Sequence, residues 1–240
     1  MFSKNNLKYI FVLAIGFFWC GSVYLTQEQY LANYASVEFV NIVELLFGSI
    51  SMALGILIFG LLYHKNKNVR NTYIVFMALA LVSMISFFAT KNIYFMSVCL
   101  CLTCLFGTAG FGAGYHFSLL GSNVEKEYRG RVFAIGYGLG SIGTYLMILF
   151  PESFYSSIKT LIIYVPMLLL NLYLVINKTN LIQVKEEKQT SSFRNYFIRI
   201  SIIVLAMSLL SALSTDVIAI NTIDIAGGYG TTRLYYCLGL

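Results

Sequence analysis

Charged residues are missing from long stretches of this chain and crowded into short clusters between them, and that segregation limits what the chain can fold into. Seven apolar runs follow one another, each close to the ~20 residues that a helix needs to cross the hydrocarbon layer of a membrane. Of the 240 residues, 11% are charged and 58% hydrophobic, with a mean hydropathy of +0.77. An ordinary soluble domain carries about 25% charged residues. An all-α polytopic membrane protein is therefore expected, with the lipid bilayer as its partner, because a helix satisfies its own backbone hydrogen bonds where no water is available.

The first span is expected at Lys8 to Thr26, followed by a polar connection with Glu28 and Glu38. It has a basic start but no small-residue cleavage site, so it reads as a retained helix rather than a signal peptide. The second span, Val40 to Tyr63, carries Glu44 about one turn inside its start. A basic loop, His64 to Arg70, leads to the third span, Thr72 to Thr90. The link Lys91-Asn92 is so short that the fourth span, Tyr94 to Leu120, must return beside the third. A charged hinge, Glu125 to Arg131, precedes the fifth span, Val132 to Phe150, which Pro151 ends because its ring cannot continue the hydrogen-bond ladder. The sixth, Ser157 to Asn177, has Pro166 as an expected kink.

These six spans form an expected bundle, 1–177, joined by a polar linker, 178–196, to the start of a second bundle, 197–240, with a seventh helix to Ile220 and the opening residues of an eighth. The chain is expected to be incomplete as a transporter, requiring either a C-terminal bundle or a second copy. Of its 16 Lys and Arg residues, all but Lys91, Lys159 and Arg233 lie on the side of the N-terminus. That bias predicts a cytoplasmic N-terminus in a plasma-membrane protein. The net charge of +6 belongs to these loops, so no nucleic-acid partner is expected.

Glycines are densest from Gly107 to Thr144. Between membrane helices a glycine lets two backbones approach, so Gly136, Gly140 and Thr144, one turn apart, predict a packing face on the fifth span. Ionisable groups inside spans mark either a pathway or an interface; both readings stay open for Glu44 and Asp216, while Glu28 reads as interfacial. His116 reads as an interfacial histidine that is also able to exchange a proton near neutral pH. Tyr24, Gln27 and Tyr115 add hydrogen-bonding groups, and with Glu44, His116 and Asp216 they make the candidate solute site. Cys101 and Cys104 have no histidine or second cysteine pair beside them and read as small buried side chains. The sequence has no phosphate-cradling loop, nucleophile elbow or metal-ligand cluster, so neither an enzyme nor a cofactor is expected.

The layout of six helices, a long linker and a seventh helix, with a basic loop after the second and Arg129-Gly130-Arg131 before the fifth, resembles the first half of a major facilitator superfamily transporter plus its helix 7. In that family the loop after helix 2 reads Gly-x-x-x-Asp-Arg-x-Gly-Arg-Arg. Here the motif is degenerate: Gly60 keeps its first position, His64 stands for the Asp, Lys65 for the Arg and Lys67 for the second Gly, and Asn68 and Val69 replace the last pair. The resemblance implies a gating role for Gly60, His64, Lys65, Arg129 and Arg131, and a cavity lined by helices 1, 4 and 7. It implies a secondary transporter of an unidentified small solute. The alternative is a sensor domain that keeps the bundle and has lost transport.

Overall fold

The computed structural model describes residues 4–43, 48–65, 69–111, 119–147, 150–155 and 157–178, all within a compact unit, Met1–Val184. Glu44, Tyr115, His116, Asp216, the linker, the seventh helix and the expected eighth span lie outside the described residues. Every regular element among the described residues is helical. These are α1 (Lys4–Ala32), α2 (Val37–Ile42), α3 (Ser49–Lys65), α4 (Val69–Ala89), α5 (Ile93–Thr108), the single turn α6 (Gly121–Asn123), α7 (Arg129–Leu146), the short α8 (Glu152–Tyr155) and α9 (Leu161–Lys178).

Helix boundaries depart from the sequence expectation at several places; α4 and α7 begin inside the expected basic loop and charged hinge, at Val69 and Arg129. The first span does not stop at Thr26 but runs to Ala32, because the polar group Gln27-Glu28-Gln29 stays helical and Gln27 is turned into the bundle. The second span, expected from Val40, begins earlier, as α2 at Val37, and α3 carries it to Lys65; residues 44–47 between them lie outside the described residues. Ser36 starts α2 by accepting a hydrogen bond from Phe39 N at 3.4 Å, which satisfies a donor that the first turn leaves unpaired.

Asn92 does the same for α5, accepting from Tyr94 N at 3.0 Å and Phe95 N at 3.2 Å, so the chain reverses within three residues between α4 and α5. Pro166 sits inside α9. Four stretches are long and apolar enough to cross a membrane: Asn6–Ala32, Val69–Ala89, Ile93–Phe111 and Ile158–Asn177. A shorter apolar stretch, Ile50–Leu62, belongs to α3. The expected fifth span, α7, is not among the four. Its glycines, tyrosines and two arginines lower its hydropathy, and its glycine face is spent on another helix.

That helix is α1, which runs parallel to α7. Gly136 faces Leu13, Gly140 faces Ala14 to Phe18, and Gly21 faces Thr144. A Cβ on Gly140 would lie 2.6 Å from Phe17 Cβ and 2.8 Å from the Ala14 carbonyl oxygen. Only hydrogen fits there. On the opposite side, α5 runs parallel to α3 through an equally close approach, where a Cβ on Gly55 would run into the Leu105 carbonyl. Helix α9 lies antiparallel on α1, and α4 antiparallel on α5, where Gly110 receives Met77 and Phe106 meets the edge of Phe76. In the middle, α1 and α5 cross antiparallel with Trp19 over Gly107.

This arrangement has an internal symmetry. Exchanging α1 with α5, α3 with α7 and α4 with α9 leaves the principal neighbours unchanged: the α1–α7 seam becomes α5–α3, the α1–α9 contact becomes α5–α4, and the α1–α5 and α4–α9 contacts map onto themselves. Nearly one shift in residue number carries all of it, taking Trp19 to Gly107, Gly55 to Gly140 and Met77 to Tyr164. A smaller contact between α3 and α4, where Phe59 meets Phe76, has no equivalent of the same extent. Exchanged helices point in opposite directions, so the second triplet is an inverted copy of the first. The glycine-rich region read from sequence as the packing centre supplies the small face of α7 and the crossing point on α5.

Candidate functional site

Helix α1 is the element around which a polar centre forms. Trp19, Ser22, Thr26 and Gln27 recur at spacings of three, four and one residues, which places them along one side of a helix. All four are buried. Ser22, Thr26 and Trp19 meet α9 through Tyr164, and Gln27 meets α5 through Thr103.

The hydrogen-bond directions at Tyr164 can be assigned from its single proton. Its hydroxyl donates to the Ser22 carbonyl at 3.0 Å, so the 2.6 Å contact with Thr26 must run from the Thr26 hydroxyl to the tyrosine oxygen. The Trp19 indole N–H donates to the Tyr164 carbonyl at 3.0 Å. On the α5 side, Gln27 Nε2 donates to Thr103 Oγ1 at 3.3 Å, and Thr103 passes its own proton to the Cys99 carbonyl at 2.8 Å.

Two atoms in this centre are left over. Ser22 Oγ and Gln27 Oε1 are buried with no hydrogen-bond partner, in side chains that are both fully shielded. An unmet buried polar group costs about 1–3 kcal/mol, and native interiors retain few of them. A serine hydroxyl can donate or accept; a carboxamide oxygen only accepts. Both oxygens can accept a hydrogen bond from a group that brings its own donor.

A second polar knot lies deeper along the same helices. Asn171 of α9 donates from Nδ2 to the Val12 carbonyl at 2.9 Å and accepts from the Tyr73 hydroxyl at 3.1 Å, joining α9, α1 and α4. Both side chains are buried and hydrogen-bonded, so this knot holds three helices in register.

Of the residues expected to form the solute site, Gln27 stands in the centre just described. Tyr24 is half-buried, with its hydroxyl 3.3 Å from where a Cβ on Gly48 would stand, at the start of α3. Thr26, Thr103, Tyr164, Tyr73 and Asn171 were not anticipated. The signal for Asn171 was available, since an amide amid Leu168–Leu172 is an expensive residue in an apolar run. For Thr103 and Tyr164 it was not, because their roles depend on which helices meet.

Among the gating and packing candidates, Gly136 and Gly140 lie in the α1–α7 seam. Gly60 differs: nothing stands within 4 Å of where its Cβ would be, so no described neighbour needs a glycine there. His64 and Lys65 close α3, with side chains outside the described residues. Arg129 is half-buried and folds back over the hinge, donating from Nε to the Val124 carbonyl at 2.9 Å and from Nη2 to the Gly121 carbonyl at 2.8 Å. A guanidinium over the last carbonyls of a helical segment supplies the donors that its end lacks. Arg131 is exposed. Cys101 and Cys104 are free thiols, the first half-buried and the second buried. No protein-family model, curated protein or solved structure matches this chain.

Proposed function

We propose that this chain is a polytopic protein of the plasma membrane that moves a small solute by relative motion of helix bundles, with the N-terminus in the cytoplasm, as its resemblance to the major facilitator superfamily implies. The observation that carries the reading is the inverted pair of three-helix units. In secondary transporters built from inverted repeats, the solute sits near the middle of the membrane where the repeats meet. Here the repeats meet at the α1–α5 crossing, and the unpartnered oxygens of Ser22 and Gln27 lie on α1 beside it. The reading assigns no catalytic step.

The alternative, a transport-inactive sensor, keeps the same bundle and is favoured by the degenerate loop in which His64 replaces an acid. The two readings share a ligand and differ in flux. A thermal-shift screen of the purified 240-residue protein against small polar metabolites should find a compound that raises its melting temperature, since a ligand selective for the folded state stabilises it by mass action. Gln27→Leu should lose that shift, because the leucine has no acceptor to offer. A shift unaltered in the Gln27 variant, or none across the screen, would sink the solute-site reading. Uptake of the same compound into proteoliposomes then separates transport from sensing.

A further inference from the structure

Away from the polar centre, α2 and the beginnings of α3 and α5 enclose a hollow of about 450 Å³. Phe39, Ile42 and Val43 form one wall, and Tyr94, Val98 and Leu102 the other. Ile42, Tyr94 and Val98 are at least half exposed, so the hollow opens on the outer surface of the bundle rather than toward its core.

Ser97, Cys101 and Ser51, which also reach it, are already engaged. Ser97 Oγ donates to the Ile93 carbonyl at 2.8 Å, and the Cys101 thiol hydrogen-bonds with Ser51. A bound water makes about three hydrogen bonds to protein groups, and a lining made mostly of Phe39, Ile42, Val43, Val98 and Leu102 is too apolar to supply them. What gains from filling the hollow is hydrocarbon, through dispersion contacts that the empty space forgoes.

Its position says which hydrocarbon. The hollow spans the first turns of α5, directly after the link from α4, at the end that the charge bias assigns to the outer face of the membrane. Phe39 and Tyr94 meet edge to face at 6.1 Å beside it, and tyrosine favours the level of the lipid headgroups. Lys91 is exposed three residues before Tyr94 and offers a cation at the same level.

We propose that this hollow is a phospholipid site: one acyl chain lies between α2 and α5, and the phosphate rests beside Lys91. The site depends on the membrane placement proposed above and not on transport. The test uses the full chain in vesicles of phosphatidylethanolamine and phosphatidylglycerol, doped with a phospholipid that carries a diazirine on one acyl chain. After irradiation, adducts on residues 39–43 and 94–102 should exceed, several-fold per exposed residue, those on the outward face of α9 at Ile162, Leu169 and Leu170.

Ser97→Phe, which fills the hollow, should bring that labelling down to the α9 level. Lys91→Gln, at an exposed position that leaves the fold undisturbed, should lower it partly. Equal labelling of the two faces in the unmodified protein, or labelling that neither variant changes, overturns the site. Release of the protein from membranes by alkaline carbonate would instead overturn the membrane placement and the site with it.

Discussion

Asn171 shows what a single polar residue does in this interior. It serves α1 as a donor and α4 as an acceptor, so replacing it with leucine removes both bonds at once. Interhelical hydrogen bonds between membrane helices are worth about 0.6–2 kcal/mol, and the Asn171 side chain makes two. Asn171→Leu should therefore destabilise the protein by about 1–3 kcal/mol, and Tyr73→Phe by less. The bond between the two is counted in each single loss but can be lost only once, so the double variant should be more stable than the sum of the single losses predicts. Thermal unfolding in detergent measures the cycle; strict additivity would show that the two side chains do not act on each other.

At the scale of the helix, α7 carries glycines with unlike surroundings, and the contrast makes a test. Gly140 is pressed against the backbone of α1, whereas nothing stands within 4 Å of a Cβ on Gly138. A methyl group at Gly140 can be accommodated only if α1 and α7 separate, at a cost of about 1–3 kcal/mol. At Gly138 it meets open space, and alanine is the better helix former. Gly140→Ala should lower the melting temperature and Gly138→Ala should leave it unchanged or raise it. Equal effects from the two would remove the seam as the reason for the glycine spacing.

The same helix shows how much of the structure was legible in the sequence. The four-residue glycine period places Gly136 and Gly140 on one face, since period and residue size alone decide it. The facing partner was not legible, because nothing in either segment says that residues 10–18 and 136–143 come together. The second span illustrates the opposite limit. Apolar character begins at Val40, whereas α2 already begins at Val37 behind the Ser36 cap, and hydropathy carries no signal for such a cap. At the polar centre, Gln27 stood out as an amide beside an apolar run, while Thr103 and Tyr164 look like ordinary members of their helices until α1 is laid against both.

For the whole molecule, direction in the membrane is the property most open to measurement. The turn Asn33–Ser36 and the α4–α5 link belong to one end of the bundle, and the hinge around Lys126 to the other. In a variant freed of its native cysteines, a cysteine at Asn33 or Lys91 should react with an impermeant reagent added to intact cells, and one at Lys126 should react only after lysis. The opposite pattern would invert the proposed orientation.

The inverted pairing of the two triplets makes that orientation a problem that packing cannot solve. If α1, α3 and α4 meet much the same neighbours as α5, α7 and α9 do, turning the bundle over leaves most of its helix contacts intact. Something outside the bundle must then break the tie while the chain is being inserted. The basic residues around its turns are placed to do so: Lys65 ends α3, Lys67 follows it and Arg70 opens α4, while the equivalent stretch after α7 holds Pro151 and Glu152. The two halves of the bundle are near copies in their contacts but differ in the charge that follows their second helix, and in the proposed orientation it is that mismatch that tells the chain which way up to lie.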